Sequence, residues 1–304
     1  MEHIAAVFAE TGPLAQALTD FKPRTQQIEM AQAIANAMET QQVLIAEAGT
    51  GTGKTFAYLI PALLLGGKVI ISTGTKTLQD QLFDRDIPLV RNALKVPVNI
   101  ALLKGRANYV CHYYLERAQH EGRFMSRHDV HSLHEIVAFA KRTNTGDKAE
   151  LSSVSETSAV WAQVTSTRDN CLGQDCAFHR DCFVLKARKA ALDADIVVVN
   201  HHLFFADVML RDEGAGELLP ACNTVIFDEA HQLPEVATLF FGESVSTAQL
   251  LELARDTRVE ALAAAKDFEA LPQAADDLEK VARDLRLIFP PVSGSISRLQ
   301  ASTL

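Results

Sequence analysis

A glycine-rich segment between an apolar run and a helical pattern constrains this chain more than any other feature. Residues 48–55 match the spacing of a P-loop, with alanine at the position where the strict pattern has glycine. Glycines let successive backbone N–H groups surround a phosphate, and the helix that follows points its positive N-terminus at the same anion. We therefore predict a nucleotide-binding loop; the alternative is a glycine-rich turn that happens to precede a helix. The predicted loop consists of Ala48, Gly49, Thr50, Gly51, Thr52, Gly53, Lys54 and Thr55.

Two acidic residues after a second apolar run supply the other half of such a site. The run 224–227 reads as a buried strand, and Asp228 and Glu229 follow it at once. In P-loop ATPases a lysine reaches the β- and γ-phosphates, while a hydroxyl of the loop and an aspartate from a second strand hold Mg²⁺. We predict these roles for Lys54, Thr55 and Asp228. We expect Glu229 to orient or deprotonate the attacking water. The alternative is an ordinary strand end capped by acids.

Short apolar runs alternate with helical patterns along most of the chain. Strands are predicted at residues 43–46, 68–72, 98–103, 196–199 and 224–227. Helices are predicted over 25–38, from residue 55 onward with a kink or break at Pro61, over 77–83, and over about 246–287. This order is typical of βαβ units, so we predict an α/β fold with a parallel sheet. Residues 105–190 are polar and show no clear strand, which indicates an insertion.

Composition indicates a globular protein without a membrane segment. Hydrophobic residues make up 48% of the 304, enough to bury a sizeable core, and the net charge of -9 does not by itself indicate a nucleic-acid partner. No signal peptide and no apolar run approaching ~20 residues is visible, so we expect a cytoplasmic protein. In such a chain, clustered cysteines more often serve metal or redox chemistry than disulfides.

Four of the five cysteines fall in the predicted insertion. Three interpretations are open on the residues alone: unrelated buried thiols, a structural zinc site in which His112 or His179 takes part, and an iron–sulfur cluster, which takes four cysteine thiolates. Cys222 lies just before the acidic strand, and we expect it to be a packing residue. The candidate ligands are Cys111, Cys171, Cys176 and Cys182.

The sequence Asp-Glu-Ala-His that begins at Asp228, together with the glycine-rich loop, resembles the superfamily 2 helicases. The resemblance implies a RecA-like P-loop sheet, and it gives His231 a role in coupling the nucleotide site to the DNA-facing motifs. Residues 21–27 resemble the adenine-side motif of these enzymes, which implies that Arg24 and Gln27 contact the base. The alternative is that both residues merely begin a helix on its solvated face.

The cysteine-containing runs 104–111 and 169–183 resemble the cluster domain of the xeroderma pigmentosum group D and DinG helicases. In that family four cysteines hold a [4Fe–4S] cluster, so the resemblance implies this cofactor beside ATP and Mg²⁺. It also implies a first motor domain in two parts at 1–106 and 191–238, an iron–sulfur insertion at 107–190, and the start of a helical arch domain at 239–304.

Several residues are candidates for holding DNA. Hydroxyls and backbone N–H groups in the turn after residues 68–72 suit phosphate contacts, and the family uses this segment to hold single-stranded DNA. Capping of the next helix is the alternative. Aromatic and cationic residues near Cys111 are typical of single-strand channels, although packing explains the tyrosines equally well. The Asn-His-His-Leu segment after 196–199 resembles a family motif and gives His201 a coupling role. The candidate contacts are Thr73, Thr75, Lys76, Arg106 and Tyr109.

The resemblance implies an ATP-dependent DNA helicase with 5′→3′ polarity that acts in repair, moves along single-stranded or forked DNA, and associates with a replicative polymerase accessory subunit. We expect a monomer. The motifs of a second motor domain, whose arginines reach the γ-phosphate, do not occur in the 304 residues, so we expect an N-terminal fragment that unwinds nothing alone. The alternatives are a non-motor, cluster-bearing fragment that binds DNA and nucleotide, and an ATP-driven nuclease or transporter.

Overall fold

A parallel four-stranded sheet lies at the centre of the first of two units in the computed structural model. The units span Met1–Phe241 and Gly242–Leu304, and each is described by itself. The strands are β1 (Val69–Thr73), β2 (Ile100–Leu102), β3 (Ile196–Asn200) and β4 (Thr224–Phe227). The structure describes residues 2–49, 51–121, 124, 126–168, 170–214, 216–242, 246–265, 268 and 270–288.

The strand order is β2-β3-β1-β4, and every neighbouring pair is parallel. Val69 in β1 lies opposite Ile196 in β3 and Thr224 in β4. All of β1 and the first four residues of β3 are buried, as expected for β-branched runs that are covered on both faces of a parallel sheet. The predicted α/β fold with a parallel sheet is therefore confirmed.

Helices connect the strands and cover both faces of the sheet. They are α1 (Glu2–Val7), α2 (Pro13–Ala17), α3 (Thr25–Glu39), α4 (Lys54–Leu65), α5 (Lys76–Gln81), α6 (Ile87–Leu94), α7 (His112–Glu121), α8 (Arg127–Ala140), α9 (Val160–Val164), α10 (Phe183–Asp193), α11 (His201–Asp212) and α12 (Leu233–Phe241). A π-helical turn, Leu82–Asp86, joins α5 to α6. Short 3-10 turns occur at Arg106–Asn108, Lys148–Glu150, Gly173–Asp175, His179–Asp181 and Ala230–Gln232.

Helix α4 runs without interruption through Pro61, so the predicted break at this residue is wrong. Proline costs a helix about 3 kcal/mol, because it removes one backbone hydrogen bond and crowds the preceding turn. Every residue at 57–63 is buried, and burying one large apolar side chain contributes roughly 1.5–3 kcal/mol. Burial of this segment therefore offsets the local cost, and the helix that follows the glycine-rich loop stays intact.

The predicted strand at 43–46 is wrong, because these residues form no strand. Val43 and Ile45 are each 93% exposed. A continuously apolar strand needs a neighbour to pair with and elements that cover both of its faces. Among the described residues, β4 at the margin of the sheet pairs with β1 alone, and the run 43–46 does not add to its open edge. The hydrophobic pattern reports apolar character, and it cannot report whether a covering layer is present.

The two faces of the sheet carry separate apolar cores. On one face Ile71 and Val198 pack with residues of α1, α3, α4 and α6. On the other face Ile70 and Val197 pack with residues of α10 and α11. Cys222 packs against this second core, which confirms its predicted packing role.

Residues 109–184 have an apolar core of their own, between β2 and β3 in the chain. Ile136, Trp161 and Phe183 are buried in it, together with parts of α7, α8 and α9. Within the described part of this segment the structure has no strand, and its isolated backbone bridge joins Tyr109 to Asp147. The prediction that the strand pattern stops in this stretch is confirmed.

The second unit contains two helices among its described residues, α13 (Thr247–Ala264) and α14 (Ala270–Ile288). Ser246 precedes α13 and forms a capping box with Gln249. The Ser246 hydroxyl accepts from the backbone N–H of Gln249, and the Gln249 side chain accepts from the backbone N–H of Ser246. Arg258 of α13 pairs with two carboxylates of α14. The helical prediction for this region is confirmed where the structure describes it, and residues 289–304 lie outside that part. None of the described helices is long and apolar enough to cross a membrane.

Candidate active site

Glycine shapes the loop that precedes α4. Gly53 is the N-cap of α4 and has a φ of +83°, a left-handed conformation that other residues adopt only at a cost. A Cβ on Gly53 would lie 2.1 Å from Nε2 of Gln27, whose side chain donates a 2.9 Å hydrogen bond to the Gly53 carbonyl. The Thr52 hydroxyl donates to the Gly49 carbonyl at 2.9 Å. Thr50, another predicted loop residue, lies outside the described residues.

The two residues predicted to contact adenine differ in position. Gln27 is 4% exposed, and its amide bonds to the loop, so it does not begin α3 on a solvated face. Arg24 precedes α3 at the N-cap and is exposed. Gln27 thus holds the end of the loop, and an adenine contact by either residue stays a prediction.

The lysine of the loop meets the acidic box. Nζ of Lys54 lies 3.6 Å from Oε1 of Glu229, and the two side chains are 30% and 32% exposed. An ion pair this open adds little to stability. Its significance is positional, because it brings the two predicted halves of the nucleotide site together although residues 43–46 form no strand. A bound triphosphate would replace Glu229 as the partner of Lys54.

Asp228 follows β4 directly and is held by two neighbours. Its N–H donates to the Ser72 carbonyl of β1 at 2.8 Å, and its Oδ2 accepts from the Tyr58 hydroxyl of α4 at 3.4 Å. Burial and the charge of Glu229 raise the pKa of Asp228 above its usual range, and Lys54 opposes this shift only in part. The site therefore disfavours the charged form of Asp228, and a divalent cation beside the carboxylate would offset this.

The backbone at the acidic box is strained. Glu229 has a φ of +55°, which costs a non-glycine residue on the order of 1–3 kcal/mol and persists only where the surroundings impose it. Its carboxylate Oε2 lies 3.4 Å from Nδ1 of His231, whose side chain is 70% exposed. Such strain occurs at functional sites, and the catalytic role of Glu229 stays a prediction.

His201 lies beneath this turn and is fully buried. Its Nδ1 is 2.7 Å from Oγ of Ser72, and its ring lies near the backbone of Asp228 and Glu229. Burial lowers the pKa of His201 below its usual value, so the folded protein favours the neutral imidazole. His201 therefore joins the end of β1 to the acidic turn, and its coupling role stays a prediction.

The turn after β1 presents only some of the predicted DNA contacts to solvent. Thr73 is fully buried, so the structure does not offer its hydroxyl to a phosphate, and the prediction for this residue is corrected. Thr75 is exposed, and its Oγ1 accepts from the N–H of Leu78 at 3.3 Å, so it caps α5 as the alternative stated. Lys76 is exposed at the first position of α5.

Tyr109 is buried, and Arg106 is half-buried. Tyr109 is 3% exposed, and its hydroxyl accepts from the N–H of Lys104 at 3.0 Å. A buried ring cannot stack on a base, so the DNA contact predicted for Tyr109 is wrong and packing is its role. Nη1 of Arg106 donates to Sγ of Cys171 at 3.2 Å. Arg106 therefore faces the cysteines.

The four candidate ligands are half-buried free thiols. Burial raises the pKa of the Cys111 thiol. The backbone N–H groups of Tyr114 and Tyr113 oppose this shift, and the charges of Cys176 and Cys182 add to it. Arg188 of α10 is electrostatically coupled to Cys171 and Cys182. Within the described ranges, no group of three or more His, Cys, Asp or Glu side chains is arranged to hold a single metal ion.

Sequence reasoning missed three side chains that shape these sites. Tyr58 lies one helical turn after Lys54, and that spacing could have placed it beside the phosphate loop. Lys104 was grouped with the cationic residues near Cys111 that suit a DNA channel, but it is buried between Asp80 and Asp147, and no sequence signal distinguishes it from an exposed lysine. Arg188 reaches the cysteines from α10, a relation that only the folded chain reveals.

The family described as DEAD/DEAH box helicase matches residues 27–113, a range that contains the glycine-rich loop and β1. More particularly, the chain is 49% identical over 300 residues to ATP-dependent DNA helicase YoaA of Escherichia coli (strain K12), with 97% of this chain and 47% of that protein covered. The YoaA helicase of Haemophilus influenzae is 47% identical over 286 residues, with 94% and 45% covered. A solved XPD helicase is 15% identical, with a TM-score of 0.44 and 93% and 45% covered.

The sequence relatives confirm the predicted resemblance to DNA helicases of the DinG type. ATP-dependent helicase DinG of Mycobacterium tuberculosis (strain ATCC 25177 / H37Ra) is 34% identical over 286 residues, with 86% of this chain and 42% of that protein covered. The chain spans about half the length of the curated relatives it matches.

Proposed function

We propose that the protein is an ATP-dependent DNA helicase that moves along single-stranded DNA, with 5′→3′ polarity and a role in repair. The observation that supports this most is the meeting of Lys54 with Glu229 at 3.6 Å, beside Asp228. A P-loop ATPase needs its lysine and its carboxylates around one triphosphate. Unwinding is proposed for a protein of the relatives' full length. Without arginines from a second motor domain, hydrolysis would be slower by on the order of 10³-fold or more.

The described residues suggest a division of labour in hydrolysis. Backbone N–H groups of the loop and the ammonium of Lys54 hold the β- and γ-phosphates. Thr55 and Asp228 would hold Mg²⁺, which supplies positive charge to the transferred phosphoryl group. The Tyr58 hydroxyl keeps the Asp228 carboxylate in place. Glu229, released from Lys54 by the incoming phosphates, orients the attacking water and accepts its proton.

DNA is proposed to lie along the turn after β1. Thr75 and Lys76 are exposed there, and a hydroxyl and an ammonium at a helix start suit contacts with phosphates. Such contacts carry no sequence information, which agrees with movement along DNA of any sequence. The proposed substrates are single-stranded and forked DNA, and the proposed protein partner is a polymerase accessory subunit.

An iron–sulfur cluster on the insertion is part of the proposal. The four cysteines are free and half-buried, Arg106 donates a hydrogen bond to Cys171, and the charge of Arg188 lies close enough to act on Cys171 and Cys182. Each thiolate of a [4Fe–4S] cluster binds a different iron, so the sulfurs stay further apart than around one ion. The organisation proposed is the motor domain in two parts at 1–106 and 191–238, the cluster insertion at 107–190 and the start of an arch at 239–304.

Iron analysis tests the cluster. Anaerobically purified protein should contain about four irons per chain. Cys176→Ser should lose iron, whereas the control Cys222→Ser should retain it, because Cys222 packs against the other core. One zinc per chain in place of iron would contradict the cluster.

The helicase proposal is tested by ATP hydrolysis and strand separation. The full-length protein should hydrolyse ATP faster with single-stranded DNA and should unwind a 5′-tailed duplex. Glu229→Gln should keep ATP binding and lose both activities, because it removes the proposed base and leaves the phosphate loop unchanged. The proposal would be refuted if single-stranded DNA did not change the rate of ATP hydrolysis, or if the Glu229→Gln protein still unwound the duplex.

A further inference from the structure

The turn after β1 and the turn after the acidic box are in contact through Gly74 and Gln232. The side-chain amide of Gln232 packs against Gly74. A Cβ built on Gly74 would meet Oε1, Cδ and Nε2 of Gln232 at 2.3, 2.7 and 2.8 Å. Separations this short are repulsive, so the amide keeps this position only because residue 74 has no side chain.

The two residues belong to different parts of the proposed machinery. Gly74 follows β1 directly and lies two residues before the exposed Lys76. Gln232 ends the 3-10 turn after the acidic box, and its N–H donates to the Glu229 carbonyl at 3.1 Å. A shift of either turn therefore changes the packing of the other.

The Gln232 contact differs from the other link between these turns. The N–H of Asp228 donates to the Ser72 carbonyl at 2.8 Å, next to the paired residues of β1 and β4, so this bond is fixed by the sheet. The contact of Gln232 with Gly74 lies beyond the ends of both strands and is half-buried. A side-chain contact of this kind can form and break while the sheet stays intact, as a two-state element requires.

We propose that Gln232 is a positioning residue that couples DNA binding at the turn around Gly74 to the acidic box. The inference rests on the proposed helicase function. Phosphates bound at Lys76 hold the turn, and the turn holds the amide of Gln232 in place. The N–H of Gln232 then keeps Glu229 in its left-handed conformation toward the attacking water. Without DNA the turn can shift, this restraint weakens, and hydrolysis slows.

The test is a double-mutant cycle in the full-length protein, with Gln232→Ala, Gly74→Ala and both together. We measure kcat and KM for ATP with and without single-stranded DNA. The DNA-stimulated kcat should fall about five- to tenfold in Gln232→Ala, within the usual range of coupling between sites. The KM for ATP should not change, and the unstimulated kcat should fall less than the DNA-stimulated kcat. The DNA-stimulated kcat of the double variant should be no lower than that of the single variants, because all three variants lose the same contact between Gln232 and Gly74. Gln119→Ala, an exposed glutamine of α7, is the control.

An unchanged DNA-stimulated kcat in Gln232→Ala would overturn the proposal, and so would losses that multiply in the double variant. A raised KM for ATP would assign Gln232 to the nucleotide site and would overturn it too. If Gly74→Ala does not fold, Gln232→Ala alone decides between these results. A wild-type protein without any DNA stimulation would refute the helicase function itself, which separates the two failures.

Discussion

Replacing Lys104 by methionine should destabilise the first unit by about 3 kcal/mol, a cost derived from its buried ion pairs. The Lys104 side chain is 2% exposed, and its Nζ lies 2.5 Å from Asp80 and 2.6 Å from Asp147. Burial acts to lower the pKa of Lys104, but its hydrogen bonds and the charges of both carboxylates outweigh this and raise the pKa above its usual range. The lysine therefore stays charged, and methionine leaves two carboxylates without their partner.

The magnitude follows from the exposure of those carboxylates. Removing one partner from a buried ion pair costs about 3–5 kcal/mol. The side chain of Asp147 is 10% exposed, whereas that of Asp80 is 31% exposed and can recover hydration. The lower end of the range is therefore expected.

Urea unfolding of the 304-residue chain, followed by circular dichroism, measures this difference in the free energy of unfolding. Lys104→Met combined with Asp80→Asn and Asp147→Asn should recover much of the loss, because no buried charge is then left unpaired. Lys189→Met, at an exposed lysine of α10, should change stability by less than about 0.5 kcal/mol. A loss below about 1 kcal/mol in Lys104→Met, or a triple variant as unstable as the single one, would refute the reasoning from buried charge.

Further predictions concern the nucleotide site and the cysteines. Tyr58→Phe should lower kcat for ATP about two- to tenfold without changing stability by more than about 1 kcal/mol, because the hydroxyl donates one hydrogen bond to Asp228. Steady-state kinetics checks this, and an unchanged kcat contradicts it. Because burial lowers the pKa of His201, its contribution to stability is complete above pH 6.5 and is lost as the pH falls below that value. The free energy of unfolding in urea should therefore decrease less between pH 7.5 and pH 5.5 in His201→Gln than in the wild type. Equal decreases would contradict this prediction. Arg106→Gln should lower the iron content of the purified protein, because Arg106 donates a hydrogen bond to Cys171. An unchanged iron content would contradict a role of Arg106 in holding the cluster.

The sequence was sufficient for the parts of the fold that local pattern determines. The β-branched runs around Ile71 and Val198 are buried on both faces, and the periodic apolar positions around Ala31 form a helix, as predicted. The run at 43–46 has the same apolar character and forms no strand. Its pairing depends on a covering layer, which the run itself does not encode.

The candidate site shows the same division. The glycines, lysine and carboxylates could be named because their chemistry needs those residue types at that spacing. Whether an individual side chain faces solvent could not be predicted, so Thr73 and Tyr109 were assigned to DNA although both are buried. The hydrogen bond of Gln27 to the loop was not predicted either. Orientation of a polar side chain depends on neighbours distant in sequence, and a single sequence does not reveal them.

The central claim is that the loop and the acidic box hold one nucleotide. The most direct test is a calorimetric titration of the protein with a non-hydrolysable ATP analogue in the presence of Mg²⁺. Lys54→Ala in the full-length protein should weaken binding by about tenfold to a hundredfold, because a hydrogen bond to a charged group contributes roughly 1.5–3 kcal/mol. Lys22→Ala, at an exposed lysine before α3, should bind as the wild type does. Equal affinity of Lys54→Ala and the wild type would contradict the claim.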